Sequence, residues 1–460
     1  MAKYRAYAEY KDSGVEWLEE VPREWDIIKI KHLSTVKRGA SPRPIDDPKY
    51  FDDNGEYAWV RIADVSASDM YLLNTTQTMS DLGSSLSVKL EPNQLFLSIA
   101  GTVGKPCINK IKACIHDGFV YFPELKIPNK YLFYVFAGEQ AYKGLGKMGT
   151  QLNLNTDTVG DIKVALPKSQ SDIYKIIEFL DHETAKIDHL IEKQQQLIEL
   201  LKEKRQAVIS HAVTKGLDPN VLMKDSGVAW LGEVPEHWKI APIKRIIKLM
   251  EQGKSPECEN IPAISDQWGV LKTSCVNNGV FHANQNKALP ENIKPHIQYQ
   301  VKAGDVLMSR ASGSINLIGS VALVPENVQD NLLLSDKIFR IHLSKDCDSR
   351  FFTLLLATPY MRTLIERAIS GAEGMANNIT KTAILEFISA IPPLDEQVQL
   401  VLYLNQKIET FNSLIEKSSR AIQLMQERRT ALISAAVTGK IDVRNWQAPM
   451  VAEAQTELSA

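Results

Sequence analysis

KDSGVEWLEEVPREW, residues 11–25, returns as KDSGVAWLGEVPEHW at residues 224–238, with eleven of fifteen positions identical at an offset of 213. A phrase carrying two tryptophans and a Val-Pro pair at fixed places marks an internal repeat, and a repeat governs every later reading of the fold. RQAVISHAVTKGLD (205–218) matches RTALISAAVTGKID (429–442) at offset 224. More weakly, GTQLNLNTDTVGDIKVALP (149–167) matches GMANNITKTAILEFISAIP (374–392) at offset 225. The chain thus spells lead-in phrase, variable region and long helix, twice. The drift in offset puts the insertions inside the variable regions, where surface loops absorb them.

The helices give the clearest structural signal. Alternating steps of four and three visit Ile173, Ile177, Leu180, Thr184, Ile187, Ile191, Gln194, Ile198, Leu201, Arg205 and Val208. The same steps 224 residues later visit Gln397, Val401, Leu404, Ile408, Phe411, Ile415, Ser418, Ile422, Met425, Arg429 and Leu432. Eight of eleven positions are apolar in each run, sustained over about five heptads, which is a coiled-coil seam rather than a general amphipathic face. Two polar breaks coincide, Gln194 with Ser418 and Arg205 with Arg429, and polar seam residues set register at a cost in stability. Both helices run into a glycine, Gly216 and Gly439.

With 460 residues the chain exceeds one core, and at ~150 residues per domain it holds about three units. The composition, 44% hydrophobic and 23% charged, is that of a globular protein. No window approaches the ~18 apolar residues of a membrane span, and the opening MAKYRAYAEYKDSG lacks the apolar core of a secretory signal. Cysteines 107, 114, 258, 275 and 347 form no CxxC pair and no cluster with histidine, so reduced, unligated thiols in a cytosol are expected. A net charge of −2 gives no global attraction to nucleic acid, which requires any such contact to be local or shared with partners.

The variable regions, about 26–166 and 239–392, carry short β-rich runs: YAWVRIADV (57–65), QLFLSIAG (94–101), DVLMSRASG (305–313) and NLLLSDKIFRIHL (331–343). Each adds one expected helix, over 129–145 and over 349–369. The fold class is therefore α+β, two mixed units of one plan.

Enzyme motifs are weak. GLGKMG (144–149) has GxGxxG spacing, but it follows a helix and leads into extended sequence, whereas a dinucleotide loop needs a strand before and a helix after. No Walker A sequence and no S-adenosylmethionine motif is present. Asp117, Glu124 and Lys126 mimic the two carboxylates and lysine of a Mg-dependent nuclease, with no counterpart expected in the second half.

Four polar, glycine-rich, basic loops recur instead at equivalent places. KRGASPRP (37–44) faces EQGKSPE (251–257), and VRIADVS (60–66) faces LKTSCVNNG (271–279). SIAGTVGK (98–105) faces SRASGSIN (309–316), and GKMGTQLN (146–153) faces GAEGMANN (371–378). Arg and Lys contact guanine edges or phosphates, Asn and Gln contact adenine, and Ser and Thr either. The candidate DNA contacts are Lys37, Arg38, Arg43, Arg61, Lys105, Lys147 and Gln151 in the first region. Lys254, Lys272, Arg310, Ser312, Asn316, Asn377 and Asn378 are the candidates in the second.

The order of DSGVxWLGxVPxxW phrase, variable domain and LIEK…R…LIS.AVTG helix, repeated, together with IPPLDEQ (391–397), resembles the specificity subunit of type I restriction–modification systems. The likeness runs from about residue 11 to 443; Glu19 departs from the Gly232 of the second phrase, and LPKSQSDI lacks the Glu-Gln of IPPLDEQ. It implies two pseudo-symmetric target-recognition domains separated by two long helices in an antiparallel coiled coil. It implies a first domain over 1–166, a central helix over 167–215, a second domain over 216–392, a distal helix over 393–443 and a disordered tail over 444–460. Each domain would read half of a bipartite double-stranded DNA target. A helix over 171–212, ~60 Å long at 1.5 Å per residue, would suit half-sites ~34 Å apart. The resemblance further implies a non-catalytic, cytoplasmic chain of a phage-defence complex. Two modification subunits would carry S-adenosylmethionine, and restriction subunits would use ATP and Mg. A self-contained nuclease, or a coiled-coil tether binding proteins, is the alternative.

Overall fold

The computed structural model describes residues 4–142, 145, 154–264, 266–370 and 377–448. The chain divides into two compact units, Met1–Gln195 with Ser419–Ala460, and Gln196–Ser418. The division falls inside the two long helices, Gln170–Lys215 and Leu394–Val437. Each unit therefore holds one variable region, half of the central helix and half of the distal helix. The linear borders at 166, 215 and 392 cut through shared cores. In the first unit Tyr131, Tyr134 and Phe136 are buried together with Ile176, Phe179 and Leu180 of the central helix and Ile433 and Ala436 of the distal one. At ~1.5–3 kcal/mol for each large apolar side chain buried, the helix halves belong energetically to the domains they cover.

All the seam positions are buried or half-buried. The coincident arginines are bonded across the helix pair within each unit. Arg429 donates to both carboxylate oxygens of Asp188 at 2.7 and 3.2 Å in the first unit, and Arg205 donates to Asn412 at 2.6 Å in the second. Positions 188 and 412 keep the same offset of 224 as 205 and 429. Further along the first unit, Trp446 packs edge-on against Phe179 with ring centres 5.4 Å apart. The chain beyond Arg429 thus runs back along the start of the central helix, which makes the pairing antiparallel.

The two units share one topology. In the first, a five-stranded sheet has the order Lys37–Arg38, Phe119–Tyr121, Leu95–Ser98, Pro106–Asn109, Tyr71–Leu72. In the second, a four-stranded sheet has the order Ile247–Gln252, Ile338–Leu343, Val306–Ser309, Val321–Leu323. A second sheet in each is built on one parallel pair, Tyr57–Val60 with Ala113–Ile115 and Gly269–Leu271 with Leu332–Leu333. A two-stranded ribbon leads into the central or distal helix, Asp26–Lys29 with Lys163–Leu166, and Lys239–Pro242 with Ile388–Ile391.

The repeated phrase seats each unit on a helix C-terminus. Its ends pair as hairpins, Tyr10–Asp12 with Glu20–Pro22 and Met223–Asp225 with Glu233–Pro235. The Asp-Ser-Gly turn closes identically in both. The Gly14 amide donates to Asp12 at 2.9 Å and the Gly227 amide to Asp225 at 3.0 Å, with both glycines at positive φ. The last tryptophan of each phrase is buried, Trp25 at 3% and Trp238 at 0% exposure. Each lies against the glycine that ends a helix, and a Cβ at Gly439 would fall 3.3 Å from Trp25 and 2.4 Å from Pro22. Gly216 and Gly439 take φ of +77° and +72°, the left-handed cap that lets the last helical carbonyls accept bonds.

Two local expectations are corrected. The helix read over 349–369 is two, Ser349–Leu356 and Pro359–Ala368, because Thr358 before the proline is extended and Pro359 starts a new helix. The tail read from 444 is ordered at its start: Arg444 lies 4.8 Å over the Tyr7 ring and Trp446 packs on Phe179 and His182.

Candidate nucleic-acid interface

In the first unit three of the four recurring loops, 37–44, 60–66 and 98–105, gather at one end of the sheets. Edge strand Lys37–Arg38 leads into Gly39, whose amide donates to Phe119 O at 2.9 Å, and the Ala40 amide donates to Ile115 O at 3.1 Å. A Cβ at Gly39 would lie 2.2 Å from His116 O, so the loop follows the backbone of residues 115–119 at a distance only glycine permits. The loop over 98–105 joins them through the Ile99 amide, which donates to Gly118 O at 2.8 Å. The short helix Ile62–Ala67 is tied to the same loop, since Ser66 Oγ and Thr102 Oγ1 are 2.6 Å apart and Lys105 Nζ donates to Ser66 O at 2.9 Å.

Asp117 is the hub of this end. Ser41 Oγ donates to its carboxylate at 3.3 Å, Arg43 forms an ion pair with it at 2.9 Å, and Arg38 Nε donates to its backbone carbonyl. Arg43 is 72% exposed along its side chain, so its guanidinium is held at one end and presented to solvent. Arg61 caps the helix at Ile62 and bonds Gln77. With Ile45, Asp46, Phe51, Trp59 and His116 it lines a cleft of about 220 Å³. Burial pushes the His116 pKa down, with the Asp117 charge only partly opposing it. The ring is accordingly neutral, and its Nδ1 accepts the Gly118 amide at 2.8 Å.

The second unit repeats the scheme with other side chains. The Gly253 amide donates to Ser335 O at 3.1 Å and the Lys254 amide to Leu334 O at 3.2 Å. A Cβ at Gly253 would meet Leu334 O at 1.7 Å. Ser255 Oγ donates to the Asp336 carboxylate, and Arg310 Nη1 reaches Asp336 O at 3.5 Å. The Arg310 amide donates to Lys337 O at 2.8 Å, as Ile99 does to Gly118. Strand Ala311–Ser312 pairs with Asn377–Asn378, bringing Arg310, Ser312, Asn377 and Asn378 together. Lys272 stands just before the 3-10 helix Thr273–Gly279 and just past the parallel strand pair, the place Arg61 holds in the first unit. Asn316 is exposed on the loop after Ser312, and its carbonyl accepts from Arg362 at 3.4 Å.

Of the candidate contacts, Lys37, Arg38, Arg43, Arg61 and Lys105 thus share one end of the first unit. Lys254, Lys272, Arg310, Ser312, Asn377 and Asn378 share the matching end of the second. Lys147 and Gln151 lie outside the described residues, as does GLGKMG apart from Leu145. The sequence reading missed Asp117 and Asp336 as organisers. The signal available was a Gly-x-Ser-Pro in each copy and an aspartate just before each sheet strand, in DGFVYF and DKIFRI.

Of the nuclease-like set, Asp117 is bound to Ser41 and Arg43, the Glu124 amide donates to Ser34 Oγ at 3.3 Å and Lys126 Nζ donates to His32 O at 3.1 Å. Among the described residues no three His, Cys, Asp or Glu side chains are grouped to hold a metal ion. Asp117 does have a counterpart in the second half, Asp336, and the two share a hydrogen-bonding role. The five cysteines are unpaired, and burial pushes the thiols of Cys107, Cys114, Cys275 and Cys347 up to about 12. No helix among the described residues is long and apolar enough to cross a membrane.

Known proteins are similar to this chain. Over 205 residues the chain is 33% identical to the type I restriction enzyme EcoEI specificity subunit of Escherichia coli, spanning 44% of this chain and 34% of that protein. It is 22% identical over 455 residues to the MjaVIII specificity subunit of Methanocaldococcus jannaschii, spanning 95% and 98% of the two chains. A solved chain, from work on complex assembly and conformational transition of the type I R-M system, matches with a TM-score of 0.66 at 12% identity, covering 92% of this chain and 99% of that one. Residues 22–200 and 235–424 both match the model of the type I restriction modification DNA specificity domain. With both duplicated halves matched, the chain belongs to the family of type I restriction modification DNA specificity domains.

Proposed function

We propose that this chain reads a bipartite DNA sequence for a type I restriction–modification complex, each unit reading one half through the loop end described above. The observation that carries this reading is the repetition of one loop frame in two units whose exposed side chains differ. A single site needs no second copy, and two identical copies would read two identical half-sites. Arg38, Arg43 and Arg61 in the first unit, and Arg310, Asn377 and Asn378 in the second, are the side chains suited to base edges. Lys37, Lys105, Lys254 and Lys272 suit phosphates, which position a protein without reading sequence.

In this reading the chain is a non-catalytic cytoplasmic subunit. Two modification subunits with S-adenosylmethionine and restriction subunits using ATP and Mg assemble on it and carry the chemistry. Exchanging residues 26–166 for the equivalent region of another member, and sequencing the sites methylated by the reconstituted complex, tests it. One half of the target should change while the other stays. Changes in both halves, or in neither, overturn the assignment. Absence of sequence-specific protection would favour a protein-binding tether, and DNA cleavage by the purified chain with Mg alone would favour a nuclease.

A further inference from the structure

Both units fasten their first loop by one device. A glycine runs against a backbone segment, the next amide donates into that segment, and a serine before a proline donates to an aspartate on it. Ser41 and Asp117 form this pin in the first unit, Ser255 and Asp336 in the second. The contacts align strand by strand, because Gly39 follows Arg38, which pairs with Val120, and Gly253 follows Gln252, which pairs with Phe339. Little of the surrounding sequence is shared. GASP against GKSP and HDG against SDK are what remains.

We propose that Asp117 and Asp336 are positioning residues for DNA reading, each setting the loop and an arginine of its own unit without touching the duplex. The inference rests on the DNA-reading function proposed above. Its second support is convergence. The carbonyl of Asp117 accepts from Arg38, which ends an edge strand, whereas the carbonyl of Asp336 accepts from Arg310, which follows the central strand Val306–Ser309. The position equivalent to Arg310 in the first unit is Ile99, and the position equivalent to Arg38 in the second is Gln252. Two arginines from different strands therefore arrive at the same carbonyl.

An aspartate on a surface meeting phosphates weakens binding unless its charge is taken up inside the protein. Here the Asp117 carboxylate is neutralised by Arg43 and accepts from Ser41, while that of Asp336 is turned to Ser255, whose Oγ also accepts the Asp336 amide at 3.2 Å. A guanidinium has five N–H donors in a rigid fork, so fixing one or two on the protein aims the rest.

The test uses the full chain reconstituted with its modification subunits, with methylated sites sequenced for Asp117→Ala, Asp117→Asn, Asp336→Ala and Asp336→Asn. Asp117→Ala should lower discrimination at bases of the first half-site by about tenfold or more, the scale of one bidentate base contact, and leave the second half-site unchanged. Asp336→Ala should do the reverse. Asparagine still accepts from serine, so Asp336→Asn should restore discrimination, while Asp117→Asn, which loses the Arg43 ion pair, should restore it in part. Ser41→Ala and Ser255→Ala should repeat the half-site pattern and carry the prediction should an aspartate variant fail to fold. Equal loss at both half-sites, no rescue by asparagine at Asp336, or unchanged base preference overturns the positioning role. A wild-type complex without sequence-specific methylation would overturn the DNA-reading function itself; a specific wild type with indifferent aspartate variants removes only this inference.

Discussion

Arg340→Leu puts the construction of the second unit to a severe test. Arg340 is 6% exposed, the one charged residue buried to that degree among the described residues. Its guanidinium donates to Glu251, to Asp305 at 3.0 Å, and to the carbonyls of Gln300 and Gln298 at 2.6 and 3.1 Å. It thereby ties the edge strand and the segment before the central strand to the strand Ile338–Leu343. Burial works against the arginine's charge, but the bonds to Glu251 and Asp305 outweigh it and raise its pKa. Removing one partner of a buried pair costs ~3–5 kcal/mol, and two stranded carbonyls add about 1 kcal/mol each. The leucine recovers about 2 kcal/mol by its own burial. The net loss is roughly 3–5 kcal/mol, a large share of the ~5–15 kcal/mol that holds a domain folded. Hydrogen exchange read peptide by peptide should show lost protection over 247–252 and 338–343, with the first unit unchanged. Adding Glu251→Gln and Asp305→Asn to Arg340→Leu should recover part of the loss, since no uncompensated charge then remains. A cost below about 1 kcal/mol, equal loss in both units, or a triple variant no better than the single would refute the network's role.

His116 supplies a pH test. Its folded pKa lies below 6.5, so the unfolded chain takes up the proton first, and stability of the first unit should fall as pH drops from about 6.5 through the folded value. His116→Gln should flatten that part of the urea-midpoint profile; an unchanged slope counts against the neutral-ring assignment. Glu19 sits at φ +53°, where the second phrase has Gly232 at φ +62°. Left-handed backbone costs a side-chain-bearing residue ~1–2 kcal/mol, and glycine's greater unfolded freedom takes back ~0.5–1 kcal/mol. Glu19→Gly should therefore raise stability by about 0.5 kcal/mol, and a lower melting temperature would contradict it. Asn412→Asp would give Arg205 the carboxylate that Arg429 already finds in Asp188. The gain should stay under about 1 kcal/mol and shrink with added salt, as urea midpoints at low and high ionic strength would show.

The duplication, the seam and the loop positions were legible because each rests on periodicity or identity along the chain. Arg205 and Arg429 stood out as shared breaks, and their partners Asn412 and Asp188 keep the same offset, so even the cross-helix bonds were implicit in the repeat. Partition into units was not legible, because contacts between the start of the chain and its end leave no local pattern. The Asp442 amide donating to Arg5 O at 2.7 Å and Tyr10 donating to Gly439 O at 3.0 Å are such contacts. Asp117 stood out only as a weak mimic of a nuclease carboxylate, because spacing shows residue type and not who already holds the group. Equivalent positions also misled by charge. Lys37 is an exposed candidate contact, while its counterpart Glu251 lies inside the Arg340 network.

That last contrast bears on how one frame can read two sequences. The pin consists of backbone amides, a glycine that cannot carry a Cβ, a serine and an aspartate. The side chains beside it are where the copies diverge: Arg38 against Gln252, Ala40 against Lys254, Gly118 against Lys337, Ile99 against Arg310. The loop's path is set by Gly39 and Gly253 against the strand backbone, so substitutions at Arg38, Ala40 and Ile99 leave it alone, whereas a Cβ at Gly118 would fall 2.4 Å from the His116 ring. A recognition surface built this way can change its preferred bases one side chain at a time without refolding. A change at the glycine, serine or aspartate instead disturbs all the contacts of that half together.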